Sequence, residues 1–206
     1  MNIIELNNKR TNRCRDYFCE LILNELQNYK VWVAGGAIRS WFANERRSDI
    51  DLFFPSEKGR NKALNHIKGI GSEVVFENEN VTKVRHKDKY TLDFCKQYFP
   101  DPEKTISDFD FTVAMFACNR ESFWCGEESF MDLASKRLCF NQIPFPHSSL
   151  MRLQRYIKKG YWMCSEEAVK FTAVLQKIDL TSFVVEDQFI PNFPESESGN
   201  TFPGMD

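Results

Sequence analysis

The sequence lacks the features that mark several common classes of protein. Its 206 residues carry a formal net charge of −2, which excludes a strongly basic, histone-like nucleic-acid binder but still allows a local basic stripe. No apolar run approaches the roughly 18 residues of a membrane-spanning helix. The first five residues lack the basic-then-apolar pattern of a signal peptide. We therefore expect a cytoplasmic protein with no membrane association.

Cysteine and histidine also lack the spacing of metal or redox sites. The seven cysteines include no Cys-x-x-Cys pair, so we expect reduced thiols rather than a disulfide framework or a zinc site. His66, His86 and His147 show no metal-ligand spacing. The chain contains no Gly-x-Ser-x-Gly and no Gly-x-x-x-x-Gly-Lys-[Ser/Thr]. Neither a hydrolase nucleophile elbow nor a P-loop NTPase is therefore supported.

Hydrophobic periodicity predicts an α+β fold, a mixed sheet with helices that is followed by a short helical extension. Helices are expected over residues 10–29, 36–42 and 56–70, and strands over 31–34, 49–54, 73–76, 81–86 and 90–95. A buried strand is expected over 111–117, irregular structure after residue 119, and helices from residue 148 and over 166–178. We divide the chain into a head domain (1–145), a helical neck-like extension (146–184) and a tail (185–206) whose polar composition predicts disorder.

The most informative motif is a diglycine turn followed by two aspartates one residue apart. An apolar run over 31–34 ends in Gly35 and Gly36 and opens into a helix, a place where backbone N–H groups bind phosphate. Asp49 and Asp51 follow on a predicted strand, where alternate side chains point to the same face. Such oxygen ligands suit Mg²⁺ or Mn²⁺ bound together with substrate phosphates. The order of motifs indicates chemistry on a nucleoside triphosphate, and the alternative is a solvent-exposed strand end with aspartate as a turn residue.

Four other residues are candidates for the same site. Asp93 lies among apolar residues on a strand that a hairpin can bring beside Asp49 and Asp51, where it would hold a metal or orient the attacking hydroxyl. Arg39, one turn into the helix after the diglycine, can reach a triphosphate or a carboxylate. Arg152 and Arg155 are one helical turn apart and can bind phosphate. The alternatives are an exposed strand aspartate and ordinary solvated helix faces.

Taken in order, these motifs resemble the head domain of the class II nucleotidyltransferases, the family of tRNA CCA-adding enzymes and bacterial poly(A) polymerases. Residues 33–39 resemble the Gly-Gly-x-x-Arg opening of that family, and residues 48–52 its Asp-x-Asp metal motif. Asp110-Phe111-Thr112-Val113 matches its Asp-Phe-Thr-Val segment, and residues 146–161 resemble its neck helix. The resemblance covers residues 31–161 in collinear order.

This resemblance implies a polymerase-β-like head that transfers a nucleoside monophosphate from an NTP to a hydroxyl acceptor and releases pyrophosphate. The implied cofactor is Mg²⁺ or Mn²⁺, and the implied acceptor is an RNA 3′ end, as in tRNA processing. Asp49, Asp51 and Asp93 would be the catalytic metal ligands. The implied NTP-binding residues are Gly35, Gly36, Arg39, Asp110, Arg152 and Arg155.

The chain departs from the family pattern at several positions. Asp108 and Phe109 stand where the family has two arginines, and Ser40 where it has aspartate. The Glu-Asp-x-x-Arg motif that selects the base is missing, and little sequence remains beyond the neck to hold a tRNA. Two alternatives therefore stay open. One is a small nucleotidyltransferase that modifies a protein or a small molecule, as in toxin–antitoxin systems, and the other is a non-catalytic NTP- or RNA-binding or assembly protein.

Overall fold

A single eight-stranded mixed sheet organises the protein. The structure, a computed structural model, describes residues 1–46, 49–87 and 89–177. The strand order is β1-β8-β7-β2-β3-β6-β5-β4, with β3 and β6 parallel and the other neighbours antiparallel. The strands are β1 Ile3–Glu5, β2 Trp32–Ala34, β3 Ile50–Phe54, β4 Ser72–Glu77, β5 Val81–His86, β6 Tyr90–Tyr98, β7 Phe116–Cys118 and β8 Phe123–Gly126.

Helices pack on the sheet and then extend the chain beyond it. The first helix continues into one π-helical turn, Cys19–Leu23, and a short 3₁₀ turn, Thr112–Ala114, precedes β7. The helices are α1 Lys9–Phe18, α2 Gly36–Phe42, α3 Glu57–Gly69, α4 Pro102–Ser107, α5 Ser129–Ser135, α6 Pro146–Lys158 and α7 Ser165–Leu175. No helix in the described ranges is both long and apolar enough to cross a membrane.

The two faces of the sheet have different compositions. Because side chains alternate along a strand, Ile50 and Leu52 of β3 enter the large core, which also contains Phe18, Ile38 and Ile67. The opposite face holds a smaller apolar cluster that includes Trp32, Phe53 and Ile106. Asp51 falls between Ile50 and Leu52 and therefore points to the face of the smaller cluster. A charged side chain therefore lies on the face of the smaller cluster, in a sheet that is otherwise well buried.

The predicted α+β class and mixed sheet are confirmed, and the differences fall mainly between residues 111 and 135. The strand predicted over 111–117 is wrong in its first half, which forms the 3₁₀ turn before β7. There Thr112 donates its backbone N–H to the carbonyl of Cys139 and its hydroxyl to Asp132 (2.5 Å). The stretch predicted to be irregular contains β8 and α5. All four residues of β8 are buried, so the strand lacks the alternation by which a half-buried strand is recognised.

The extension is joined to the sheet by aromatic contacts. The ring of Tyr156 on α6 packs edge-on against Phe111, with centroids 5.4 Å apart, and Phe171 of α7 stacks on Phe140 at 5.0 Å. The predicted tail over 185–206 and the last part of the predicted neck, 178–184, lie outside the described residues.

Candidate functional site

Charged side chains form a row across three neighbouring strands. In the parallel pair β3–β6, Asp51 lies opposite Asp93, and in the antiparallel pair β5–β6, Lys83 lies opposite the same Asp93. Directly opposed residues project to the same face of a sheet. Asp49 precedes Asp51 by two residues, and its carboxylate meets the Lys83 ammonium. We call Asp49, Asp51, Asp93 and Lys83 the acidic row.

The ammonium of Lys83 lies between two of the three carboxylates. It contacts Asp49 Oδ2 closely and lies 3.1 Å from Asp93 Oδ1. Asp93 Oδ1 is buried, and despite this proximity it has no hydrogen bond of good geometry. One ammonium therefore neutralises part of a cluster that contains three acids.

The electrostatics of the acidic row reflect this imbalance. Asp51 keeps some exposure, yet burial, together with the charges of Asp93 and Asp49, raises the pKa of its carboxyl to about 7, against the opposing charges of Lys83 and Arg152. Burial also raises the pKa of Asp93, although Lys83 opposes the shift. Burial lowers the pKa of Lys83, but its contacts with Asp49 and Asp93 outweigh this and the net shift is upward. The row favours the binding of further positive charge.

The donor set of the acidic row fits a hard divalent cation. Carboxylate oxygens are the protein ligands that Mg²⁺ and Mn²⁺ prefer, and Asp93 Oδ1 is a buried oxygen available for coordination. Within the described ranges no three His, Cys, Asp or Glu side chains already converge as the ligands of one ion. The ammonium of Lys83 stands among the carboxylates instead, so a metal ion would take over its position.

A tight turn lies beside the acidic row. Gly35 joins β2 to α2 with φ +86° and ψ −135°, a conformation that residues with a Cβ rarely adopt. An added Cβ would lie 3.4 Å from the ring of Phe109 and 3.8 Å from Asp51 Oδ2. The bare backbone of the turn, the Phe109 ring and the Asp51 carboxylate therefore line one small region, with Phe109 also packed against Phe53 at 6.0 Å between centroids.

We expect Gly35→Ala to destabilise the protein by about 1–3 kcal/mol, because it places a Cβ at a positive φ that side chains rarely adopt, even though the Cβ would make only ordinary contact with Phe109. Gly69→Ala is the matched control, since a Cβ at this helical glycine meets nothing within 4 Å and alanine favours a helix. Urea unfolding of both variants measures the difference. A Gly35→Ala protein as stable as Gly69→Ala would show that the turn tolerates a side chain.

Asp110 and Arg152 form a separate ion pair that attaches α6 to the segment before the 3₁₀ turn. The Asp110 carboxylate accepts hydrogen bonds from Arg152 Nη1 at 2.7 Å and Ser149 Oγ at 2.9 Å. Asp110 is 6% exposed, whereas the side chain of Arg152 is 46% exposed. The Arg152 guanidinium is also close enough for its charge to lower the pKa of Asp51. Arg155, one turn further along α6, has an exposed side chain.

Arg39 lies in a third environment. It is a residue of α2 and packs against α6 and the segment that follows α6. Its guanidinium pairs with Glu45 at 3.1 Å, donates to Ser40 Oγ at 2.9 Å and lies over the rings of Tyr156 and Tyr161 at 5.1 and 5.7 Å. The side chain is 2% exposed. These contacts join α2 to the extension.

The structure thus separates the candidate residues into three sets. Asp49, Asp51 and Asp93 come together beside Gly35, with Gly36 opening α2 directly after the turn. Asp110 pairs with Arg152 on α6, where Arg155 is exposed one turn further along, and Arg39 lies apart. The sequence reasoning missed Lys83, although a signal was available. A hairpin that pairs residue 86 with residue 90 also pairs 83 with 93, which places a lysine opposite the proposed third aspartate.

The fold is that of the head domain of nucleotidyltransferases. The Thermotoga maritima CCA-adding enzyme complexed with tRNA superposes with a TM-score of 0.59 at 14% identity, covering 85% of this chain and 46% of that enzyme. The Bacillus stearothermophilus CCA-adding enzyme in complex with CTP gives 0.56 at 14% identity, covering 80% and 45%. At this level of identity the likeness shows a shared fold.

The chain belongs to the Gabija anti-defense 2 family. Residues 9–136 match the sequence profile of that family. The protein named Gabija anti-defense 2 of Bacillus phage SPbetaL7 is 32% identical in an alignment of 188 residues that covers 85% of this chain and 44% of that protein. The chain therefore spans less than half the length of this relative. The predicted resemblance to CCA-adding enzymes holds for the fold, while the family is one of anti-defense proteins and not of tRNA enzymes.

Proposed function

We propose that this chain is the catalytic head of a nucleotidyltransferase, which transfers a nucleoside monophosphate from an NTP to a hydroxyl acceptor. The observation that carries the proposal is the register that opposes Asp51 to Asp93 on adjacent parallel strands, with Asp49 and the Gly35 turn beside them. We further propose that residues 1–145 form the head and residues 146–184 a neck-like extension.

In this proposal Asp49, Asp51 and Asp93 would hold Mg²⁺ or Mn²⁺, which would neutralise phosphate charge and activate the attacking hydroxyl. The acceptor oxygen forms a bond to the α-phosphorus while the bond from that phosphorus to the bridging oxygen breaks, and pyrophosphate leaves with the electron pair. Asp93 orients the acceptor hydroxyl and takes up its proton. Gly35 and Gly36 let the triphosphate approach the backbone closely.

Arg152 and Arg155 would bind the triphosphate from α6. Arg152 supports this role because its exposed guanidinium already exerts its charge on Asp51. Arg39 fits a different role, since its guanidinium pairs with Glu45 and lies over two tyrosine rings. Asp110 acts through Arg152, which it holds in place at 2.7 Å.

We expect Arg152→Ala and Arg155→Ala each to weaken NTP binding about tenfold, because each removes a charge-assisted contact. Only Arg152→Ala should also cost stability, about 1–2 kcal/mol, because it leaves the buried Asp110 without its ion-pair partner. Arg→Lys at either position should restore part of the affinity, since an ammonium cannot form a bidentate fork. NTP titrations and urea unfolding separate the two effects. If both alanine variants bind NTP as tightly as the parent, α6 is not part of the proposed site.

The name of the family indicates the biological purpose of the proposed transfer. We propose that transfer to an RNA 3′ end or to a protein acceptor serves to counter the defence named Gabija. An RNA 3′ end agrees with the fold neighbours, one of which is complexed with tRNA. A protein acceptor is the alternative that remains, and the family name specifies no acceptor.

A second candidate function is a non-catalytic binding or assembly module. The observation that favours it is that the cations near the site already have carboxylate partners. Lys83 pairs with Asp49 and Asp93, and Arg152 pairs with Asp110. Asp108 and Phe109 also replace two arginines of the resembled family, which reduces the positive charge available for a triphosphate.

The decisive experiment incubates the protein with each of the four NTPs, labelled at the α-phosphate, in Mg²⁺ or Mn²⁺. Total RNA is offered in one set of reactions and total bacterial protein in another. We expect label in one acceptor class, from one or more NTPs, and none when Asp51 is replaced by asparagine. Absence of label together with metal-dependent NTP binding would instead support the binding module.

A further inference from the structure

Strand pairing and the contacts of its ammonium together place Lys83 in the acidic row. Lys83 is the third of six β5 residues that pair with β6, and the register places it directly opposite Asp93. Its neighbours Thr82 and Val84 are fully buried on the other face. Alternation along β5 therefore directs the side chain of Lys83 toward the face that carries the carboxylates.

The contacts of Lys83 are those expected of a cation bound at this place. Its ammonium meets one oxygen of Asp49 and lies 3.1 Å from one oxygen of Asp93. Its side chain is 28% exposed, so the charge is partly shielded from water and its attraction to the aspartates is stronger than at an open surface. The two carboxylates are drawn together by one ammonium, at the position that the proposed function gives to a metal ion.

We propose that Lys83 is a resident cation that competes with the divalent metal for the acidic row. In the metal-free protein the ammonium holds Asp49 and Asp93 and limits their repulsion. A bound metal ion would release the ammonium from both carboxylates. The metal concentration at which the site fills is therefore set in part by Lys83. This inference rests on the proposed function, because it concerns the same metal site.

The first test measures Mn²⁺ binding by calorimetry to the parent protein, to Lys83→Met and to Lys96→Met. Lys96 is the matched control, because it lies on β6 with a side chain 24% exposed and pairs with Glu77 at 2.9 Å, outside the acidic row. We expect Lys83→Met to bind Mn²⁺ about tenfold more tightly than the parent, since the metal no longer displaces an ion pair. Lys96→Met should bind as the parent does.

The thermal stability of the same proteins gives a second readout. In EDTA, Lys83→Met should unfold at a lower temperature than the parent, because three carboxylates then face each other without an internal cation. Saturating Mn²⁺ should restore the loss. Lys96→Met should be stabilised by Mn²⁺ only as much as the parent is, because its metal site is intact.

A third measurement uses the unmodified protein and so does not depend on the folding of a variant. The rate at which an amine-acylating reagent modifies each lysine is followed by mass spectrometry, with and without Mg²⁺. We expect Mg²⁺ to increase the acylation of Lys83, whose ammonium leaves its ion pairs, and to leave Lys96 unchanged.

The outcomes distinguish this inference from the proposed function. Equal Mn²⁺ affinity in the parent and Lys83→Met, with no change in the acylation of Lys83, would overturn the inference while leaving the metal site intact. Binding to neither protein would overturn both the inference and the metal-dependent function. Binding to Lys83→Met alone would support the inference in its strongest form, because the lysine would then exclude the metal from the parent.

Discussion

Asp51→Asn is expected to reduce nucleotidyl transfer by about a thousandfold or more, the largest effect on activity that we predict. Asp51 lies in the acidic row, opposite Asp93 and beside the Gly35 turn. An amide of the same size occupies its space but cannot supply the negative charge that binds a metal ion. Transfer from labelled NTP, measured at matched Mg²⁺ concentrations, gives the result.

The matched control is Asp108→Asn, which makes the same chemical change outside the acidic row. Asp108 is part of an i,i+4 ion pair with Lys104 on α4, and we expect this variant to keep its activity. If the two variants have equal turnover, the assignment of Asp51 as a metal ligand is refuted.

The same substitution should raise the stability of the metal-free protein. Burial and the neighbouring aspartates raise the pKa of Asp51 to about 7, which means that the folded state disfavours its ionised carboxylate. Removing that charge should add about 1–2 kcal/mol in EDTA, or roughly 2–8 °C in Tm for a domain of this size. Mg²⁺ should stabilise the parent protein and not the variant. A variant that is less stable than the parent in EDTA would indicate a structural role for the carboxylate.

Arg39→Met is expected to have the largest effect on stability, a loss of about 2–4 kcal/mol. The guanidinium is 2% exposed, pairs with Glu45 at 3.1 Å and lies over two tyrosine rings. Its removal eliminates the cation–π contacts and leaves Glu45, itself 21% exposed, without its nearest cation. Methionine keeps much of the apolar volume, so the loss measures chiefly the charge.

Urea unfolding compares Arg39→Met with Arg13→Met, a variant at an exposed position of α1 where a change within about 0.5 kcal/mol is expected. NTP affinity provides a second readout. If Arg39 is structural, the affinity of the folded variant should stay near that of the parent. If the variant is as stable as the parent but binds NTP more weakly, Arg39 binds the triphosphate.

Much of the candidate site could be read from local sequence, because its geometry follows from short-range rules. The interval between Asp49 and Asp51 is two residues, and a strand turns such a pair to one face whatever surrounds it. The positive φ of Gly35 agrees with the diglycine turn. The hairpin between residues 86 and 90 also follows from a short polar connection. The collinear order of these motifs with those of a known family predicted the α+β nucleotidyltransferase fold, which the structure confirms.

Long-range pairing decided what local patterns could not. The parallel contact between β3 and β6, which joins Asp51 to Asp93, bridges 41 intervening residues and has no periodic signal of its own. Arg39 and Arg152 looked alike in the sequence as cations near a phosphate site. Tertiary packing enclosed Arg39 with Glu45 and two tyrosines and left Arg152 half exposed on Asp110. The sequence contained the charges and their spacing along each strand, whereas the partner of each charge depended on which distant segments the fold brought into contact.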